Sequence, residues 1–163
     1  MNNLIDLCEA DLTSVEHANA ILVLLSIYAL DPMGGGVPLS EHTKKNLIGE
    51  LGKRTDSLVV LAFDGLRPVG LINCFEGFST FLCKPLMNIH DVIVHPEYRG
   101  RGIATLMLQK VEFIARWRGC CKLTLEVLEG NQVAKAAYRK SGFIAYQLDP
   151  EMGQALFWEK KLD

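Results

Sequence analysis

Residues 86–125 constrain this chain more than any other stretch. The run "LMNIHDVIV" is apolar and β-branched, and "GIATLMLQKVEFIARWRG" repeats apolar residues at Ile103, Leu106, Met107, Val111 and Ile114. "CCKLTLEVL" then reads as a strand again. A strand, a helix and a strand in that order close as a crossover, so the two strands lie parallel in one sheet. Between the first strand and the helix stands "HPEYRGR". Pro96 removes a ladder donor there, and Gly100 and Gly102 admit positive φ.

The flanking segments fill out the topology. "TSVE" (13–16) reads as a capping box opening a helix to about Leu30, and "DPMGGGVP" breaks that helix. Ser40 caps a second helix, "EHTKKNLIGELG". "SLVVLAF" and "RPVGLINCFEGF" are strands joined at Asp64-Gly65, a strong hairpin signal. "LMNIHDVIV" itself predicts a strand buried on both faces. "NQVAKAAYRKSGF" reads as a helix ending at Gly142, and "QALFWEKKL" as a last strand. The pattern predicts an α/β (α+β) protein, with a mixed twisted sheet of about seven strands flanked by about four helices.

Composition narrows the function classes. The 163 residues suit one domain, with 49% hydrophobic and 22% charged residues. A formal net charge of -2 excludes a globally basic, nucleic-acid-binding surface, and "RWRG" and "YRK" fall on separate helices. "AILVLLSIYAL" is half a membrane span and suits a buried helix. The N-terminus carries no basic segment or small-residue cleavage site, so no signal peptide is read. Cys8, Cys74, Cys83, Cys120 and Cys121 form an odd set without a CxxC pair, and are read as core thiols in a reducing, cytoplasmic setting with no metal site.

The glycine loop predicts an anion cradle. Gly100 and Gly102 turn successive backbone N–H groups inward, the first turn of the next helix adds its own donors, and Arg99 and Arg101 add charge. The mononucleotide loop GxxxxGK[ST] is absent. The dinucleotide fingerprint GxGxxG fits Gly100 and Gly102 but meets Thr105 at its third glycine, with Glu126 at the end of the following strand.

Read as Arg99-x-x-Gly102-x-Ala104, the stretch resembles the acyl-CoA loop [QR]xxGx[GA] of the GNAT superfamily of N-acetyltransferases. "GNQVAKAAYRKSGF" matches as well, with Asn131, Ala134, Tyr138, Gly142 and Phe143 at that family's spacing. The resemblance implies one GNAT-type domain over residues 1–163, with acetyl-CoA as the acyl donor. It implies that Gly100, Arg101, Gly102, Ile103, Ala104 and Thr105, with Arg99 beside them, hold the pyrophosphate. Val92, Ile93 and Val94 would run along the pantetheine arm. Asn131 and Ala134 would touch the cofactor from the opposite side, and Tyr138 would protonate the departing thiolate. Ala104 stands where glycine is commoner, which the family permits.

Acyl transfer to an amine needs a neutral nitrogen, a donor for the developing oxyanion and an acid for the thiolate. A phenol matches the basicity of an alkyl thiolate. In a regular strand His90 shares a face with Val92, and Asp91 points the other way unless a bulge re-aims it. Both are candidate bases, and His90 is also a candidate substrate contact. Acceptors in this fold usually enter between "LDPMGGGVPL" and "CFEGFSTF". The three glycines there suggest a lid, Phe75, Phe78 and Phe81 could wall a pocket, and Glu76 or Asp31 could attract an ammonium group. The layout looks similar to diamine and polyamine acetyltransferases, so a small primary amine, polyamine-like or amino-acid-like, is the implied substrate. The alternatives are a catalytically silent CoA-binding module, which would need neither Tyr138 nor a polar residue at position 90, and a peptide or protein amine as acceptor. Neither nucleic acid nor membrane is implied as a partner, and the apolar "ALFW" allows a homodimer by analogy with the fold.

Overall fold

The computed structural model describes residues 4–162. Two compact units, Met1–Leu125 and Glu126–Asp163, are described in turn.

The first unit carries β1 (Asp6–Glu9), α1 (Val15–Leu30), α2 (Glu41–Gly52), β2 (Ser57–Asp64), β3 (Arg67–Ser79), β4 (Lys84–Val94), α3 (Ile103–Trp117) and β5 (Leu123–Leu125). Its five-stranded sheet runs in sequence order. The first three pairings are antiparallel and β4 with β5 is parallel, the crossover arrangement the sequence predicts. The Asp64-Gly65 hairpin forms as expected, with Asp64 opposite Arg67 and Gly65 at φ 60°.

Both faces of the sheet are covered. Ala20, Ile21 and Leu24 of α1 pack with Val59, Leu61, Phe63, Leu71 and Ile93. Each large aliphatic side chain buried in this way contributes roughly 1.5–3 kcal/mol. Alternate strand residues meet α3: a Cβ placed on Gly70 would fall 2.8 Å from Met107 Cε and 3.2 Å from Ile103 Cγ2. Glycine at position 70 therefore lets the start of α3 lie directly on β3.

Several expectations change. The α1 cap is Ser14, whose Oγ accepts from His17 N, while Thr13 bonds Asp11 instead. Only Met87, Ile89 and Ile93 of β4 are fully buried, because β5 pairs with Met87–Ile89 alone. Cys83 is exposed at φ 49° in the turn between β3 and β4, so it is not a core thiol.

The second unit contains α4 (Gln132–Lys140), with Asn131 as its N-cap and Gly142 at φ 87° just beyond its end. Five strands form among the described residues rather than about seven. "QALFWEKKL" is not a strand; one backbone hydrogen bond, Ala155 N–H to the Tyr146 carbonyl, joins it to the segment after α4. An apolar, aromatic run alone does not make a strand, and among the described residues this stretch has no ladder partner to fix its register.

Candidate active site

A bulge in β4 sets the geometry. Asn73 pairs with Asp91 and the next residue, Cys74, pairs with Ile89, so His90 is the extra residue. One inserted residue reverses the parity of the strand beyond it. Before the bulge, Met87 N–H turns outward to the Lys122 carbonyl next to β5. After it, His95 N–H turns inward to the Val69 carbonyl, so by alternation Ile93 also faces β3, while Val92 and Val94 face outward. The ladder with β5 has ended by then. Of the three residues predicted to line the pantetheine arm, Val92 presents its backbone groups to an edge without a ladder partner among the described residues, Val94 also faces outward but its carbonyl accepts from Arg99 Nε at 3.3 Å, and Ile93 uses its own within the sheet.

The same bulge changes which side chains share a face. Leu71, Asn73 and Phe75 alternate onto the α1 face of β3, and Asp91 and Ile93 lie opposite the first two of these. The His90 ring meets Phe75 edge-on, with centroids 5.6 Å apart. His90 and Asp91 therefore lie on the same side of the sheet. The regular-strand expectation, which put His90 with Val92 and Asp91 opposite, is corrected by the inserted residue.

Asp91 is held by Asn73, whose Nδ2 donates to its Oδ2 at 3.0 Å. Tyr28 of α1 stands nearby: its phenol is pushed up chiefly by burial and further by Asp91 and Asp31. Asp31 caps the turn after α1, accepting Met33 N–H at Oδ1, and accepts Arg99 Nη2 at Oδ2, 2.8 Å away. The Arg99 hydrogen bond, then that of Met33, lowers the Asp31 carboxyl. The glycine-rich turn is pinned rather than loose, with Gly34 N–H and Gly36 N–H both donating to the Asp31 carbonyl.

The glycine loop takes the predicted form. Gly100 and Gly102 sit at φ 79° and 80°, and Gly102 begins α3 without a side-chain cap. Among the described residues, no backbone carbonyl accepts from the N–H groups of Gly100, Arg101, Gly102, Ile103, Ala104 or Thr105. No atom lies within 4 Å of a Cβ built at Gly100 or Gly102. Six orphan donors at an uncapped helix start, bordered by open space, fit a pyrophosphate. Arg101 turns back over the Tyr98 ring and donates to the Glu97 carbonyl, while Tyr98 donates to Asp64 at 2.8 Å, bracing the loop.

Other predicted residues scatter. Phe81 is 99% exposed and Phe78 is exposed as well. Glu76 falls on the other face of β3 from Phe75, near the Cys120 thiol, which burial raises first and Glu76 raises further. Of the aromatic trio, Phe75 alone meets His90, and the Arg54 guanidinium covers its ring. In the second unit, Asn131 Oδ1 accepts from Ala134 N, and Tyr138 meets Phe143 edge-on at 6.0 Å. Asn73 and Tyr28 also stand at this site, outside the residues that the motifs mark. An amide inside the apolar run "VGLINCF" was the available signal for Asn73.

Relatives fit this geometry. An aminoglycoside acetyltransferase from an uncultured soil metagenomic sample, solved with sisomicin, superposes with a TM-score of 0.81 over 99% of both chains at 14% identity, a likeness of fold. Streptothricin acetyltransferase of Streptomyces lavendulae is 26% identical over 88% of this chain and 82% of its own length. Bovine thialysine N-epsilon-acetyltransferase is 41% identical over 68 residues, which are 42% of this chain and 39% of that protein. The match thus spans well under half of that relative. The family model for acetyltransferases of the GNAT type matches residues 24–143, which include the β4 bulge, the glycine loop and α4. The chain belongs to the acetyltransferase (GNAT) family.

Proposed function

We propose that residues 1–163 act as one acyl-CoA N-acyltransferase domain that moves an acetyl group from acetyl-CoA to the primary amine of a small molecule. The observation that carries this reading is the uncapped start of α3, where the N–H groups from Gly100 to Thr105 have no backbone acceptor among the described residues, together with the outward-facing backbone of Val92. Acetyl-CoA supplies the acetyl group as a thioester. The loop and helix start hold its pyrophosphate, and Arg99 adds charge beside them. The Val92 backbone groups and the Val94 N–H bond the pantetheine amides, and an N–H there polarises the thioester carbonyl.

On the acceptor side, Asp91 or His90 takes the proton from the ammonium group, leaving the nitrogen lone pair to attack. The carbon–nitrogen bond forms, the carbon–sulfur bond breaks, and the Tyr138 hydroxyl gives its proton to the sulfur. Asn131, Ala134 and Tyr138 are assigned to this site from the family pattern. Asp31 and Phe75 border the acceptor, and the names of the streptothricin and thialysine relatives support a small amine. The reading extends to a cytoplasmic homodimer, supported for location by five free thiols and testable for assembly by light scattering.

Calorimetry with acetyl-CoA tests the cradle. Wild type is expected to bind, and Gly102→Glu to lose binding while its melting temperature stays within a few degrees. Undiminished binding by Gly102→Glu would place the cofactor elsewhere.

A further inference from the structure

Asn73 is an amide in a place built for hydrocarbon. It is 5% exposed, and the next residue on its face of β3 is Leu71, itself fully buried. Its Nδ2 is taken by Asp91 Oδ2. A carboxylate only accepts, so this bond fixes the amide's orientation and turns Oδ1 away from Asp91. Among the described residues Oδ1 then has no hydrogen-bond partner. A buried acceptor left in that state is costly, so the residue is poorly explained as packing.

We propose that Asn73 is a positioning residue for proton removal: its NH2 holds the Asp91 carboxylate at the bulge, where that carboxylate takes the proton from the acceptor's ammonium or from a water bound to it. This rests on the acetyltransferase reading and assigns the base within it. The proton leaves the ammonium nitrogen and is taken up by a carboxylate oxygen of Asp91, directly or through that water. The nitrogen keeps the electron pair with which it attacks, and Asp91 later returns the proton to solvent.

The groups around Asp91 leave this role to it. Tyr28 of α1 is held as a phenol, its acidity weakened first by burial. Cys74 of β3 is pushed up to about 12, chiefly by burial and slightly further by Asp91, with Arg118 opposing. Neither takes a proton at neutral pH. Asp31 is committed to Arg99 and Met33. His90 lies beside Asp91, but its ring contact is with Phe75 rather than with Asn73.

The test is Asn73→Leu, which keeps the branching at Cγ and the number of heavy atoms, at a somewhat larger volume, and removes both polar atoms. Thiol release from acetyl-CoA is measured with spermidine, lysine and an aminoglycoside, and kcat and KM are taken from pH 6 to 10 on whichever acceptors respond. At pH 7 kcat is expected to fall on the order of 10–100-fold, with KM for acetyl-CoA unchanged. The deficit should close as pH rises toward the amine's own pKa of about 10, where the acceptor arrives neutral. In an Asp91→Asn background, Asn73→Leu should cost nothing further, because it acts through Asp91.

A deficit that is the same at every pH, an additive loss in the Asp91→Asn background, or wild-type kcat would each overturn the proposal. If Asn73→Leu fails to fold, Asn73→Ser undergoes the same measurements. A wild-type protein that releases no thiol with any of these amines would refute the acetyltransferase reading itself, and the role of Asn73 with it. Normal wild-type turnover with an unaffected variant would refute the role of Asn73 alone.

Discussion

Arg99 and Asp31, 68 residues apart, meet at 2.8 Å and tie the glycine loop before α3 to the turn after α1. Both were expected from the sequence to meet ligands, and each holds the other. Arg99 is half-exposed, so the pair contributes no more than about 1 kcal/mol to stability. Arg99→Ala is expected to weaken acetyl-CoA binding by about tenfold, since a charged hydrogen bond to a phosphate is lost. Asp31→Ala should leave that affinity within about threefold and raise KM for the amine. Calorimetry and steady-state kinetics separate the two.

Acid should loosen this region. The Asp31 carboxyl is lowered by the Arg99 hydrogen bond, and the Glu97 carboxyl by Arg67. A carboxyl lowered in the folded state stabilises above its unfolded value and loses that contribution as pH falls through the folded one. The melting temperature is therefore expected to decline below about pH 4. Asp31→Asn should flatten part of that decline, and hydrogen exchange at Met33 and Gly34 should locate it.

Two glycines should respond oppositely to alanine. A Cβ at Gly34 would lie 2.0 Å from the Tyr28 carbonyl oxygen, a backbone atom that cannot yield. Gly34→Ala is expected to cost at least 2–3 kcal/mol and to release the turn that presents Asp31. Gly49 lies within α2 with nothing in the way, and Gly49→Ala should gain about 1 kcal/mol. Urea denaturation measures both.

Tyr138→Phe removes one oxygen and keeps the ring that meets Phe143. It is expected to lower kcat on the order of 100-fold while acetyl-CoA affinity stays nearly unchanged. Equal turnover at saturating substrates would remove Tyr138 as the acid.

How much of this was legible in the sequence depended on how local the signal was. Gly100 and Gly102 declare a loop because positive φ is cheap only for glycine, and Asp64-Gly65 declares its hairpin for the same reason. The β4 bulge is a matter of pairing: nothing in "NIHDV" alone says that Asn73 and Cys74 will skip His90, so side-chain direction beyond that point could not be counted off. The hydrogen bond between Asn73 and Asp91 followed from the same register. The last strand does not form because an apolar run becomes a ladder only beside a partner, which "QALFWEKKL" does not have among the described residues. The pairing of Asp31 with Arg99 depends on bringing the α1 turn to the glycine loop, a relationship of the folded chain only.

The central claim is tested most directly by incubating purified protein with acetyl-CoA and a panel of polyamines, amino acids, aminoglycosides and peptides, following thiol release and the mass of each acceptor. At least one small amine is expected to gain a single acetyl group in step with thiol release, and Gly102→Glu to abolish both. Binding of acetyl-CoA with no acetylated amine, and thiol release no faster than hydrolysis, would contradict it and leave a silent CoA-binding module.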